Sequence, residues 1–113
     1  MASVSLYGKA NIQETASLIK QGVINSGVSC ELIDSSERNV SSGKVILLVF
    51  EKYYMRSSNR ASLSVMLIQD GDTVYVDAVS SGGGQGALFR FSWGAEESFV
   101  GVIPTILRGK GFS

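Results

Sequence analysis

Histidine is missing from this 113-residue chain, which removes the commonest general base and the commonest metal ligand together. Neither a Ser-His-Asp nor a Cys-His arrangement can be assembled. Cysteine occurs once, as Cys30, so an internal disulfide is excluded and a reducing compartment fits. Charge is scarce, at 18% of residues, and balanced at ten bases and ten acids. There is no dense basic run, so the electrostatic footprint of a nucleic-acid binder is absent. A surface so poor in charge repels its neighbours weakly, which favours self-association. The longest apolar stretch, Val45 to Phe50, falls far short of the roughly 20 residues that span a bilayer. Met1-Ala2-Ser3-Val4-Ser5 has neither the basic start nor the apolar centre of a signal peptide. The expected location is the cytoplasm, with no nucleic acid and no membrane span among the partners.

Apolar residues make up 44% of the chain, a globular composition, and the length suits one domain over 1–113. A chain of this size buries very roughly two-thirds of its unfolded surface and needs neither disulfide nor metal to fold. Val4 and Leu6 alternate within 2–9, a short first strand whose pairing into the sheet is left open by the pattern. Asn11 followed by Glu14 resembles a capping box. Behind it Ile12, Ala16, Ile19 and Val23 form one apolar stripe, predicting a helix over 12–26 with Gly27 in the left-handed cap position.

Strands follow. Val28, Cys30 and Leu32 share one face. The polar segment 34–43 reads as a turn-rich loop. The apolar run within 44–55 predicts a central strand partly covered on both sides. Residues 60–69 alternate cleanly, Asp70-Gly71 signals a two-residue hairpin, and Val74, Val76 and Ala78 supply the next core face. A loop with four glycines spans 80–86, and 87–91 reads as a last short strand. Ser92 is the expected cap of the final helix, with Glu96 and Glu97 suited to its positive end. Pro104, the lone proline, predicts a kink or break near Val102, or a restart with Pro104 as first residue. The fold class is therefore α+β: a two-layer, curved antiparallel sheet of about five strands, with an N-terminal and a C-terminal helix on one face, in β-α-β-β-β-β-α order.

Four segments carry a resemblance to a known family: Glu51-Lys52-Tyr53-Tyr54, Asn59-Arg60-Ala61-Ser62-Leu63, Ser81-Gly82-Gly83-Gly84-Gln85-Gly86 and Gly94-Ala95-Glu96-Glu97-Ser98-Phe99. With these the chain resembles a family of small bacterial proteins catalogued as a domain of unknown function. The glycine loop and the Gly-x-Glu-Glu-x-Phe segment are the most specific parts, and Pro104 departs from the pattern. The resemblance implies a bacterial source and no particular chemistry. The element order is also similar to a shortened helix-grip fold, in which a sheet wraps a C-terminal helix and leaves an apolar cavity between them. That analogy implies a pocket and no activity.

Candidate chemistry can be weighed residue by residue. Cys30 reads as a buried small hydrophobe, with a redox-sensitive thiol as the functional alternative. Gly82-Gly83-Gly84-Gln85-Gly86-Ala87 satisfies Gly-x-Gly-x-x-Ala on paper. A strand-like segment follows it, however, where a dinucleotide site needs a helix. A joining loop is the plain account, and the functional one is an anion nest helped by Arg90 or a contact loop that closes over a ligand. Glu96 and Glu97 point about 100° apart on a helix and do not converge. Glu51 ends an apolar run, and an inward carboxylate there needs a partner. Arg60 or Arg90 on a neighbouring strand could supply it, as a cross-strand salt bridge or as a ligand-binding cluster. Tyr53, Tyr54, Tyr75 and Trp93 offer large apolar surfaces with polar tips, and most of them read as core or sheet-surface residues.

The leading expectation is a non-enzymatic module holding a small, largely apolar ligand between the sheet and the last helix. Its candidate binding residues are Glu51, Tyr53, Tyr54, Arg60, Gly82, Gly83, Gly84, Arg90 and Trp93, with no catalytic residue, metal or cofactor implied. The alternatives are a homo-oligomeric structural or protein-interaction module and an enzyme using carboxylate, Arg and Tyr chemistry.

Overall fold

The computed structural model describes residues 2–27, 29–54, 59–82 and 89–113, with backbone alone at 54, 59 and 89–97. Its elements run β1 (Ala2–Lys9), α1 (Ile12–Ile24), β2 (Cys30–Val40), β3 (Gly43–Tyr54), β4 (Asn59–Asp70), β5 (Thr73–Gly82) and α2 (Phe89–Leu107), closed by a 3-10 turn at Arg108–Lys110. The five strands form one antiparallel sheet in the order β1-β5-β4-β3-β2. The first strand thus joins the sheet, on the far side of β5 from β4.

Helix α1 starts where the capping pattern puts it. The Asn11 side chain accepts a 3.0 Å bond from the Glu14 amide, and Ile12, Ala16, Ile19 and Val23 are all buried. Its end differs from expectation. The helix stops at Ile24, Asn25 forms the cap in a right-handed conformation, and the Ser26 amide and hydroxyl both bond the Val23 carbonyl. Gly27 is not in a left-handed conformation.

The polar segment 34–43 is not a loop. β2 continues through it to Val40, paired residue for residue with β3 as far as Gly43, and the turn shrinks to Ser41–Ser42. The reason is position. β2 is an edge strand held by its backbone ladder, and from Ile33 onward its side chains are exposed, so polar residues cost it nothing. A bulge between Leu32 and Asp34 lets the strand change sides. The β4–β5 turn lies one residue later than its sequence signal, at Gly71–Asp72, with Gly71 at φ 63.

Both helices lie on one face of the sheet. α1 packs against β2, β3 and β4, while α2 packs against β1, β4 and β5. Between them Phe50, Leu63, Val65, Leu67, Ile19, Phe99, Ile103 and Leu107 are buried almost completely. The predicted last strand is helix from Phe89 on, and residues 87–88 lie outside the described residues. Ser92 therefore falls inside α2 and does not cap it. The helix also continues through Pro104 without the expected break. Ile103 and Leu107, fully buried on either side of the proline, anchor that last turn to the sheet. After α2, Gly111 takes φ 90, Phe112 is buried, and Ser113 exchanges two backbone bonds with Tyr7 on the edge of β1. Gly8 admits this return, because a Cβ there would lie 2.6 Å from the Gly111 carbonyl oxygen.

Candidate functional site

Because both helices use one face, the other face of the sheet has no layer over it among the described residues. Strand alternation and register assign its side chains. One row crosses the sheet as Tyr7, Tyr75, Ile68, Val45 and Arg38, the next as Ser5, Asp77, Met66, Leu47 and Ser36, and the next as Ser3, Val79, Ser64, Val49 and Asp34. Eight of these fifteen positions are large apolar or aromatic residues. Tyr7 is 57% exposed, Tyr75 43%, Leu47 41% and Met66 39%, so this is surface and not a second core. The Tyr7 and Tyr75 rings stack with centroids 6.0 Å apart. The acid in the middle, Asp77, accepts a 2.6 Å bond from the Ser5 hydroxyl.

The apolar run in β3 therefore has a different cause from the one its sequence suggested. Ile46, Leu48 and Phe50 face the core, whereas Val45, Leu47 and Val49 face outward and uncovered. Sequence reasoning missed this face because a two-sided apolar strand looks the same whether its second side is buried or bare. The signal was present in Met66, Ile68, Tyr75 and Val79, which sit out of phase with the core positions of their own strands.

At the other end of the same face three of the sequence candidates meet. Arg60 Nη1 donates to Glu51 Oε1 at 2.8 Å, and the guanidinium stands 5.9 Å from the centroid of the Tyr53 ring. Ser29 donates from its hydroxyl to the Tyr53 carbonyl at 2.6 Å. With Cys30 and Glu31, these residues line a polar notch of about 400 Å³. Glu31 lies directly opposite Glu51 across the β2–β3 ladder, a like-charge pair that Arg60 relieves on one side. Because Arg60 is largely exposed, its ion pair is worth at most about 1 kcal/mol. Glu51 thus points outward to solvent and not into the space under α2.

The remaining candidates do not join this group. Gly82 ends β5 opposite Ala61, on the strand beyond β4. The backbone of Tyr54 pairs with Asn59 at the end of the β3–β4 hairpin, and Arg90 and Trp93 fall in the opening turns of α2. The side chains of Tyr54, Arg90 and Trp93, and all of Gly83 and Gly84, lie outside the described residues, as does Val28. Cys30 is buried, and desolvation raises its thiol pKa above the usual value despite the opposing charge of Lys52, which leaves it protonated and unreactive at neutral pH. Elsewhere, hydrogen bonds from Lys44 and then Gln13 hold the Glu37 carboxyl below its ordinary range, tying β3 and α1 to the edge strand. On the core face, the fully buried Ser80 hydroxyl has no hydrogen-bond partner among the described residues. Among those residues no group of His, Cys, Asp and Glu could hold a metal ion, and no helix is long and apolar enough to cross a membrane.

The chain belongs to a family of unknown function, DUF6054, whose model matches residues 1–109. No curated protein matches it. Membership fixes the family and supplies no activity.

Proposed function

We propose that this protein is a non-enzymatic interaction module whose working surface is the uncovered face of the sheet. The observation that carries the reading is the continuous apolar field formed by Tyr7, Tyr75, Ile68, Val45, Met66, Leu47, Val49 and Val79. Monomeric soluble proteins seldom leave more than a few hundred Å² of contiguous apolar surface bare, and larger patches rimmed by polar groups mark interaction sites. The rim here is polar, with Lys9 and Asp70 at one end and Glu31, Glu51 and Arg60 at the other. The total lack of histidine leaves carboxylates, Lys9, Arg and Tyr as the acid–base groups near the face among the described residues, and Glu51 is already engaged by Arg60.

Leu47→Lys tests this. The side chain is outward and 41% exposed, so the fold should tolerate the lysine while the face loses its apolar centre. Affinity capture from the source cells with tagged wild-type protein should retain a defined protein, another copy of the chain included, that the Leu47→Lys bait loses. A variant that keeps every wild-type partner would remove the proposal.

A second reading keeps a small, largely apolar ligand between the sheet and α2. Ser80 favours it, since a buried hydroxyl without a partner costs about 1–3 kcal/mol and a bound molecule could supply the missing bond. Native mass spectrometry of gently purified protein would reveal such a ligand as added mass lost on denaturation.

A further inference from the structure

Resting on the interaction-surface reading, we infer that the occupant of the uncovered face is a second copy of this chain, docked sheet to sheet in a symmetric dimer. Area is the first argument. Five strands about 4.8 Å apart, each contributing some nine residues at about 3.3 Å, present roughly 700 Å². A specific interface buries about 600–1,000 Å² on each partner, and a face of this size falls in the lower half of that range.

Charge is the second argument. A strongly acidic or basic partner would be met by a field of opposite sign, and this face has none. Both signs are interspersed over the face, Lys9, Arg38 and Arg60 standing among Asp34, Asp70, Asp77, Glu31 and Glu51. The excess of two acids over bases on this face is small, and salt screens it over the distances at which two copies approach. The pattern of apolar centre and polar rim is that of a protein interface. The one charge near the centre, Asp77, has the Ser5 hydroxyl as donor, which offsets part of the cost of covering its carboxylate.

Sheets packed face to face lie about 10 Å apart with their strands within about 30° of each other. A symmetric contact places its two-fold axis at the middle of the patch. β4 is the middle strand of the five, and its Met66 is the residue nearest that axis, flanked by Leu47 and Asp77. Met66 of one copy therefore packs close to Met66 of the other.

Three variants test the contact. Met66→Cys in a Cys30→Ala background should be cross-linked into a dimer by a short bismaleimide, which reaches across facing sheets about 10 Å apart, a gap too wide for a direct disulfide. Thr105→Cys in the same background, exposed on α2, should not. Met66→Glu should raise the dimer dissociation constant in sedimentation equilibrium by about 100-fold or more, the range seen for central interface residues, while circular dichroism shows the same fold. A dimer that survives Met66→Glu, or equal cross-linking at Thr105, would overturn the inference that the second copy docks on this face. A wild-type protein that sediments as a monomer at millimolar concentration would overturn only the second-copy inference. The Leu47→Lys capture experiment would then decide separately whether the face binds a different protein.

Discussion

Phe50→Ala is expected to lower the unfolding free energy by about 3–5 kcal/mol, the cost of deleting a buried phenyl ring and leaving a cavity. Phe50 is fully buried in the core-facing row of β3, with Leu32 opposite it on β2 and Leu63 opposite it on β4. Its neighbours are held in a hydrogen-bonded sheet and cannot collapse far into the space. A protein of this length has a total stability of about 6–15 kcal/mol, so the variant forfeits a large share of it. Urea unfolding followed by circular dichroism, at one protein concentration, should show the midpoint falling by about 1.5 M or more. Val49→Ala, one residue away and on the uncovered face, should cost under about 1 kcal/mol in the monomer. If the two substitutions cost the same, the assignment of core and outer faces along β3 is wrong.

That contrast also shows how much the sequence revealed. Where one physical cause produces one pattern, the pattern was readable. Ile12, Ala16, Ile19 and Val23 recur with the helical period because only one side of α1 is buried, and Asn11 caps it through the predicted bond. Alternation in β4 and the Asp70-Gly71 pair gave the hairpin to within a residue. Where two causes produce the same pattern, the sequence was silent or misleading. Polar residues at 34–40 signal a loop or an edge strand, and the ladder to β3 decides for the strand. An apolar run at 45–50 signals a strand buried on both sides or a sheet with one bare apolar face, and only the placement of both helices on the same side decides. Of the candidate site, Glu51, Tyr53 and Arg60 come together because the β3–β4 register sets Tyr53 opposite Arg60 and Glu51 one step diagonal to it. Sequence alone offered Arg60 and Arg90 as equals.

Gln69 illustrates what no local pattern discloses, and it carries a further expected result. Its side chain reaches from the end of β4 to the start of α1. Oε1 accepts a 2.7 Å bond from the Ile12 amide. Nε2 donates to the carbonyls of Ala10 at 3.1 Å, Gly71 at 3.1 Å and Thr73 at 3.3 Å. The Ile12 amide is one of the unpaired donors that every helix start exposes, and Asn11 satisfies a different one, that of Glu14. One glutamine thus joins the helix entry to the β4–β5 turn, alongside the backbone bond from Ala10 to Asp72. Gln69→Leu keeps the bulk and removes every bond, leaving partly buried amide and carbonyl groups unpaired, at about 1–3 kcal/mol for such a group. An overall loss of about 2–3 kcal/mol is expected in urea unfolding. Gln69→Glu separates the two halves of the role. It preserves the acceptor for Ile12 but sets a carboxylate against three carbonyl oxygens, so at neutral pH it should be no more stable than Gln69→Leu. Amide hydrogen exchange localises the effect, because Ile12 should lose protection in Gln69→Leu and retain more of it in Gln69→Glu. Equal protection of Ile12 in wild type and Gln69→Leu would mean that the helix entry is held by the Asn11 cap and the Ala10–Asp72 bond without the glutamine.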